Sequence, residues 1–220
     1  MSDAPLPSPP PASREARIRA GSAQRRAARR EDTRRAILAA ATELFQAQGY
    51  EDFSLRQVAE AIGYSPTTIY LYFADKDDLL FHAAMEGFAL FGERLQAAYE
   101  SSSDPAAKLA ALGRAYIAFG LEHPVNYRLM FMQRGEFLDR TPPEGCESVI
   151  DSFGLLLRAV QEGLAAGRIR PGDERAYAGM IWAGVHGIVS LAIATPYFDR
   201  EAAFGLQALF ETTLREGILR

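Results

Sequence analysis

The chain has 220 residues, 48% of them hydrophobic, and carries a formal net charge of −4. That apolar content supports a sizeable core and excludes a disordered chain. Its one cysteine, Cys146, excludes an internal disulfide and points to a reducing, cytoplasmic setting.

No signal peptide is visible in the proline-rich, then arginine-rich start. The longest apolar run, Met180–Ala194, is short of the roughly 20 residues of a membrane span, so no membrane partner is expected. The net charge conceals a split. Between Arg14 and Arg35 nine arginines face three acidic residues, whereas from Ala36 onward 15 basic residues face 24 acidic ones. A basic arm on an acidic body suits a protein that meets a polyanion at one end only.

Residues 1–29 lack apolar periodicity and are rich in Pro, Ala and Arg, which predicts a disordered basic arm. Such an arm is either a solubilising tail or a DNA-touching one. From Asp32, the residues Ile37, Leu38, Ala41, Leu44 and Phe45 fall on one helical face, and Gly49 is placed to end that helix. Ser54 and Gln57 have capping-box spacing before the stripe Leu55, Val58, Ala59 and Ile62. After Gly63, Ser65 is an N-cap and Pro66 a first helical residue, followed by Ile69 and Phe73 one turn apart. Asp75 caps a fourth helix, with Asp78 near the positive end of its dipole.

That helix is predicted over Lys76–Tyr99. Later ones are expected at Pro105–Glu122, Pro124–Gln133, Glu144–Ala166, Asp173–Ala194 and Asp199–Leu219. No alternating strand pattern interrupts them, so the fold class is all-α. A three-helix domain over 30–80 contains a helix-turn-helix at about 54–74, and a helical domain follows over 81–220.

Two short helices joined by Gly63-Tyr64-Ser65 leave the second projecting, in a position to enter a major groove. Its Thr67, Thr68, Tyr70, Leu71 and Tyr72 form a poor solvated face but a good DNA-facing one. Hydroxyls reach phosphates or base edges, and Leu71 meets a thymine methyl. Lys76 offers a charge to a phosphate, Thr33 a hydroxyl and a helix-start N–H, and Arg56 a guanidinium for guanine or phosphate. The same spacing also fits a helical bundle whose amino-terminal part binds protein.

The stretch FSLRQVAEAIGYSPTTIYLYFADKDDLL, Phe53–Leu80, closely resembles the DNA-binding domain of the TetR family, with Tyr70, Phe73, Lys76, Asp77, Asp78 and Leu79 matching its pattern. The resemblance implies DNA contacts at Arg56, Thr67, Thr68, Tyr70, Leu71, Tyr72 and Lys76, and two copies on a near-palindromic operator. It also implies a repressor released by a small-molecule effector. An activator of the same family and, more remotely, a protein–protein adaptor are the alternatives.

The second domain resembles the TetR ligand domain named for Trp, His and Gly. Here these are Trp182, His186 and Gly187, preceded by YIAFGLEHPVNYRLMF from Tyr116 to Phe131. Cavities in such domains are apolar with a few polar groups. Phe88, Tyr116, Phe119, Tyr127, Met130, Phe131, Trp182 and His186 are therefore the candidate pocket residues for an apolar or aromatic ligand, although each also suits a plain core. Gly184, Gly187 and Ser190 in the penultimate helix, with Leu206, Leu209, Phe210, Thr213 and Leu214 in the last, suggest a homodimer face or the closure of the monomer's own core. There is no glycine-rich phosphate loop or nucleophile motif, and His82, His123, His186 and Cys146 lack metal spacing. The chain thus reads as no enzyme, with no metal and no cofactor.

Overall fold

A computed structural model describes residues 14–132 and 151–217, and its elements are helical. They run α1 (Arg14–Asp52), α2 (Leu55–Ala61), α3 (Pro66–Tyr70), α4 (Lys76–Glu100), α5 (Pro105–Glu122) and α6 (Pro124–Tyr127). A π-helical segment (Arg128–Met132) follows α6, then α7 (Ser152–Ala165), α8 (Glu174–Ala194) and α9 (Arg200–Gly217). The all-α fold class agrees with the sequence reading. Cys146 and the 144–150 start of the seventh expected helix lie outside the described residues.

The largest departure is α1, which begins at Arg14 inside the stretch expected to be a disordered arm. After Pro11 this stretch holds no further proline, and its Ala, Arg, Gln and Glu are good helix formers. It needs no nucleus of its own, because it propagates from a packed helix. Gly49 interrupts α1 as expected, but with φ 79° and ψ −178° it is an extended break open chiefly to glycine, not a left-handed helical cap.

Capping accounts for most other boundaries. Ser54 and Gln57 form the complete capping box, Ser65 accepts from the Thr68 N–H, and Gly63 turns the chain at φ 70°. Asp75 accepts from the Asp78 N–H at 2.7 Å while the Asp78 carboxylate accepts from the Ala74 N–H at 2.8 Å. Asp104, Asp151, Asp173 and Asp199 play the same role for α5, α7, α8 and α9.

Two hydrophobic cores result, and α4 runs through both. The first packs Ile37, Ala41 and Phe45 of α1 with Val58, Ile69 and Phe73, and takes Leu79–Ala84 from α4 and Val125 and Leu129 from the α6 region. The second gathers Phe91 and Leu95 of α4 with residues of α5, α7, α8 and α9. By length and composition α8 is also apolar enough to cross a membrane. Here its Ala178, Ile181, Val185, Ile188 and Val189 are buried in the second core, while Met180, Ala183 and Leu191 are exposed.

On α9, Leu206, Phe210 and Leu214 pack against the chain's own core, and Gly184 lets Phe210 sit on the α8 backbone. Only Leu209 and Thr213 of the expected stripe face outward. Gly120 lets α5 approach α8 so closely that a Cβ there would lie 2.2 Å from Val189 Cγ1. Val189 is fully buried and β-branched, so it cannot swing away. Gly120→Ala should therefore destabilise the protein by about 1–3 kcal/mol in urea unfolding despite the better helix propensity of alanine, and Val189→Ala in the same chain should restore part of the loss.

Candidate nucleic-acid interface and ligand cavity

Helix α3 is held by its inward side alone. Ile69 and Phe73 are buried, while Thr67, Tyr70 and Leu71 are exposed, Tyr70 to 60% and Leu71 to 70%. Tyr70, the last residue of the helix, and Leu71, its C-cap, thus add two adjacent large side chains to the surface. Thr68 is half-buried, with its hydroxyl 2.9 Å from that of Ser65. Tyr72 is half-buried beneath the Arg30 guanidinium, 5.6 Å from the ring centroid. Arg56 is exposed on α2 and held only by a surface pair with Glu60 at 3.1 Å, an interaction worth little. Tyr64, in the turn and 42% exposed, extends this face and was not singled out by its sequence position.

Two of the expected contacts are placed differently. Thr33 lies within α1, only 8% exposed, and its hydroxyl donates to the Arg29 carbonyl at 3.0 Å. Because α1 starts at Arg14, the Thr33 N–H is not at a helix start and is not offered to a phosphate. Lys76 turns back under the domain. Its ammonium donates to the Tyr50 carbonyl at 2.5 Å and the Phe53 carbonyl at 3.4 Å, and lies 4.2 Å from the Tyr50 ring centroid. The Tyr50 hydroxyl donates in turn to Asp77, and that bond, with burial, pushes its pKa up to about 12. Lys76 thus ties the end of α1 to the start of α4.

A cavity of about 490 Å³ opens among α4, α5, α7 and α8. Four of the eight expected pocket residues line it: Phe88, Tyr116, Phe131 and Trp182. Phe119 instead packs on Phe91 and His123 in the core, and Met130 sits against Gly87. Tyr127 and His186 stand behind the wall, joined to the cavity through Tyr116. The Tyr127 hydroxyl is 2.6 Å from His186 Nδ1 and 3.0 Å from the Tyr116 hydroxyl, which accepts from Trp182 Nε1 at 3.3 Å. Sequence reasoning missed the aliphatic lining, including Leu112, Leu156, Ile181 and Val185, because such residues carry no signal that separates cavity from core.

This cluster is uncharged near neutral pH. Burial pushes the Tyr116 hydroxyl up to about 12 and Tyr127 higher still, and it lowers the His186 pKa. Asp151, at the start of α7, is the one charged side chain among the described lining residues.

Residues 37–83 match the family model for bacterial regulatory proteins of the tetR family, and residues 109–216 match that for the tetracyclin repressor-like C-terminal domain. The chain belongs to the TetR family. It is a DNA-binding transcriptional regulator and not an enzyme. The HTH-type transcriptional regulator HbdR of Aromatoleum sp. (strain CIB) is 34% identical over 88 residues, which span 40% of this chain and only 38% of that regulator. A solved structure of a protein of unknown function from Rhodococcus sp. RHA1 is 31% identical, with a TM-score of 0.68, covering 85% of this chain and 95% of that one. The transcriptional regulator FadR of Bacillus subtilis, solved in complex with stearoyl-CoA, shares the fold at 22% identity and a TM-score of 0.66, covering 83% and 98%.

In this TetR-family chain α4 is bonded to α1 and also lines the cavity. Arg34 of α1 donates to Glu86 of α4 at 2.9 Å and lies 3.1 Å from His82 Nδ1. Over the next two to three turns, α4 presents Phe88, Phe91 and Leu95 to the cavity. Burial, and then the Arg34 charge, lower the His82 pKa.

Lys76→Ala should cost about 1–3 kcal/mol of unfolding free energy in the absence of DNA, because it strips charge-assisted bonds from the Tyr50 and Phe53 carbonyls. A lysine serving phosphates alone would leave that value within about 0.5 kcal/mol. The histidines set a pH response. His82 and His186 both have folded pKa values below the ordinary 6.5, so as pH falls the unfolded chain takes up protons first. Their contribution is present above pH 6.5 and lost as pH drops through the folded values. The thermal midpoint should fall on acidification, less steeply in His186→Asn.

Proposed function

We propose that this regulator is a homodimeric repressor that acts in the cytoplasm, binds a palindromic operator and leaves it when a small ligand fills the α4–α8 cavity. The observation that carries this reading is the double membership of α4. Its first turns are bonded to the DNA-binding core through Lys76, Asp77 and Glu86, and its next turns form the cavity wall. A ligand that prefers one position of this wall shifts the α3 helices of the two subunits relative to each other, by no more than its differential affinity allows.

The DNA contacts proposed are Thr67, Thr68, Tyr70, Leu71 and Tyr72, with Arg56 released from Glu60. For the dimer, the supporting observation is the outer side of α8 and α9, where Met180, Leu191, Phe204 and Leu209 are each 42–61% exposed. Pairing these helices across a two-fold axis would cover that face and set the spacing of the half-sites.

The ligand class follows from the lining. The described lining is mostly apolar and has no cation, and Tyr116 and Ser152 bring hydroxyls to it. That combination supports an apolar ligand with one uncharged hydrogen-bonding group at Tyr116, any anionic portion remaining outside. The fold relatives include FadR with stearoyl-CoA, which supports a long apolar ligand without specifying one.

The test begins with selection of bound duplexes from a random pool. An inverted repeat should emerge, and Leu71→Ala or Tyr70→Ala should weaken its binding about tenfold or more, within the 1–3 kcal/mol of a good base contact. In vitro transcription from that site should fall on adding protein, whereas a rise would identify an activator. Screening uncharged apolar compounds against the complex should find one that releases DNA, with Tyr116→Phe weakening its effect about tenfold or less. No enriched sequence, with salt-insensitive binding, would instead support a protein–protein adaptor.

A further inference from the structure

The amino-terminal part of α1 is a dense run of exposed positive charge outside the helix-turn-helix. Between Arg14 and Arg30 the sequence holds seven arginines and one acid, Glu15. Arg19, Arg25, Arg26, Arg29 and Arg30 are all exposed, and residues 23–32 form a continuous exposed run. Among the described residues none of these five enters an ion pair, whereas the next two arginines do, Arg34 with Glu86 and Arg35 with Asp32.

The arrangement is unfavourable for a free helix. Arg25 and Arg29, and Arg26 and Arg30, stand four residues apart, the spacing at which like charges on a helix repel. A merely solubilising face would mix signs. At 3.6 residues per turn, Arg19, Arg26 and Arg30 share one narrow stripe, with Arg29 and Arg25 about 80° and 120° round the helix to one side of it. Arg30 also stacks over Tyr72, so this stripe begins beside the face of α3. Its arginines are separated along the axis by about 10 and 6 Å, on the scale of one to two phosphate steps along a duplex strand.

We propose that the amino-terminal extension of α1 is a second DNA-binding surface, a sequence-independent arginine stripe that lies along the phosphate backbone flanking each operator half-site. It rests on the reading of α3 as the DNA-recognition element. The occupant is duplex DNA because the stripe is continuous with α3, uniformly cationic, and attached to a body whose remaining 15 basic and 24 acidic residues repel polyanions elsewhere.

The test compares the full chain with the triple variant Arg19→Gln, Arg25→Gln, Arg26→Gln, which leaves Arg30 and α3 intact. Each is titrated against the selected operator alone and against the same operator with arbitrary flanks of about one helical turn on either side. The unmodified protein should bind the extended duplex about tenfold or more tightly than the short one at low salt, with a log–log salt slope steeper by about 2–5. In the triple variant most of this advantage and about 2–3 of the extra slope should be lost, with binding to the short operator and the thermal midpoint little changed. Equal behaviour of the two proteins on the extended duplex would overturn the proposal while leaving α3 as the reader of the operator. Failure of the unmodified protein to bind any selected duplex would overturn both. A loss seen only with vesicles of phosphatidylcholine and phosphatidylserine, and not with DNA, would assign the stripe to membranes and equally overturn it.

Discussion

Helix α4 cannot shift without disturbing two hydrophobic cores at once, because Leu79–Ala84 are built into one and Phe91 and Leu95 into the other. Protein interiors pack near the density of organic crystals, so such a helix behaves as a stiff rod with a few discrete placements. Polar bonds reinforce the apolar ones at its start. Lys76 grips two carbonyls at the end of α1, Asp77 accepts from Tyr50, and Arg34 reaches across to Glu86. Most of what the molecule can do follows from this sharing. One stretch of the helix forms a cavity wall, and the other is packed into the core that carries α3.

The cavity itself is a compromise between burial and polarity. Tyr116, Tyr127, His186 and Trp182 place four hydrogen-bonding side chains in or behind an apolar wall. Each would be costly there alone, and together they satisfy one another in a neutral network. Tyr127 and His186 face each other with rings stacked at 5.6 Å, and neither lines the cavity. Only Tyr116 and Trp182 meet it. The cavity therefore presents a polar point at Tyr116 whose orientation is set by residues behind it, beside an aliphatic lining.

Close backbone approaches decide how the second core is closed. Gly120 brings α5 onto Val189 of α8, and Gly184 receives the Phe210 ring from α9. With one side of α8 consumed in this way, its other side is left apolar and exposed at Met180, Ala183 and Leu191. The same helix that is apolar enough to cross a membrane thus belongs half to a core, with its outer half left apolar and exposed.

Local chemistry was legible in the residues themselves. The capping box at Ser54 and Gln57, the Ser65-Pro66 restart, Gly63 with positive φ and the Asp75 cap act within a few positions of chain, so spacing alone determined them. So was the exposed character of Tyr70 and Leu71, because Ile69 and Phe73 claim the buried side of so short a helix. The start of α1 was not legible, since helix propensity without an apolar stripe resembles an unstructured basic arm until a packed helix propagates into it. Nor were the destinations of Lys76 and Thr33, which depend on where the end and the start of α1 lie in space. The division of aromatics between cavity and core was likewise decided only by tertiary packing. Phe88 and Phe119 are the same residue type on helices that both face the second core, and the positions of neighbouring helices alone leave one beside open space and the other enclosed.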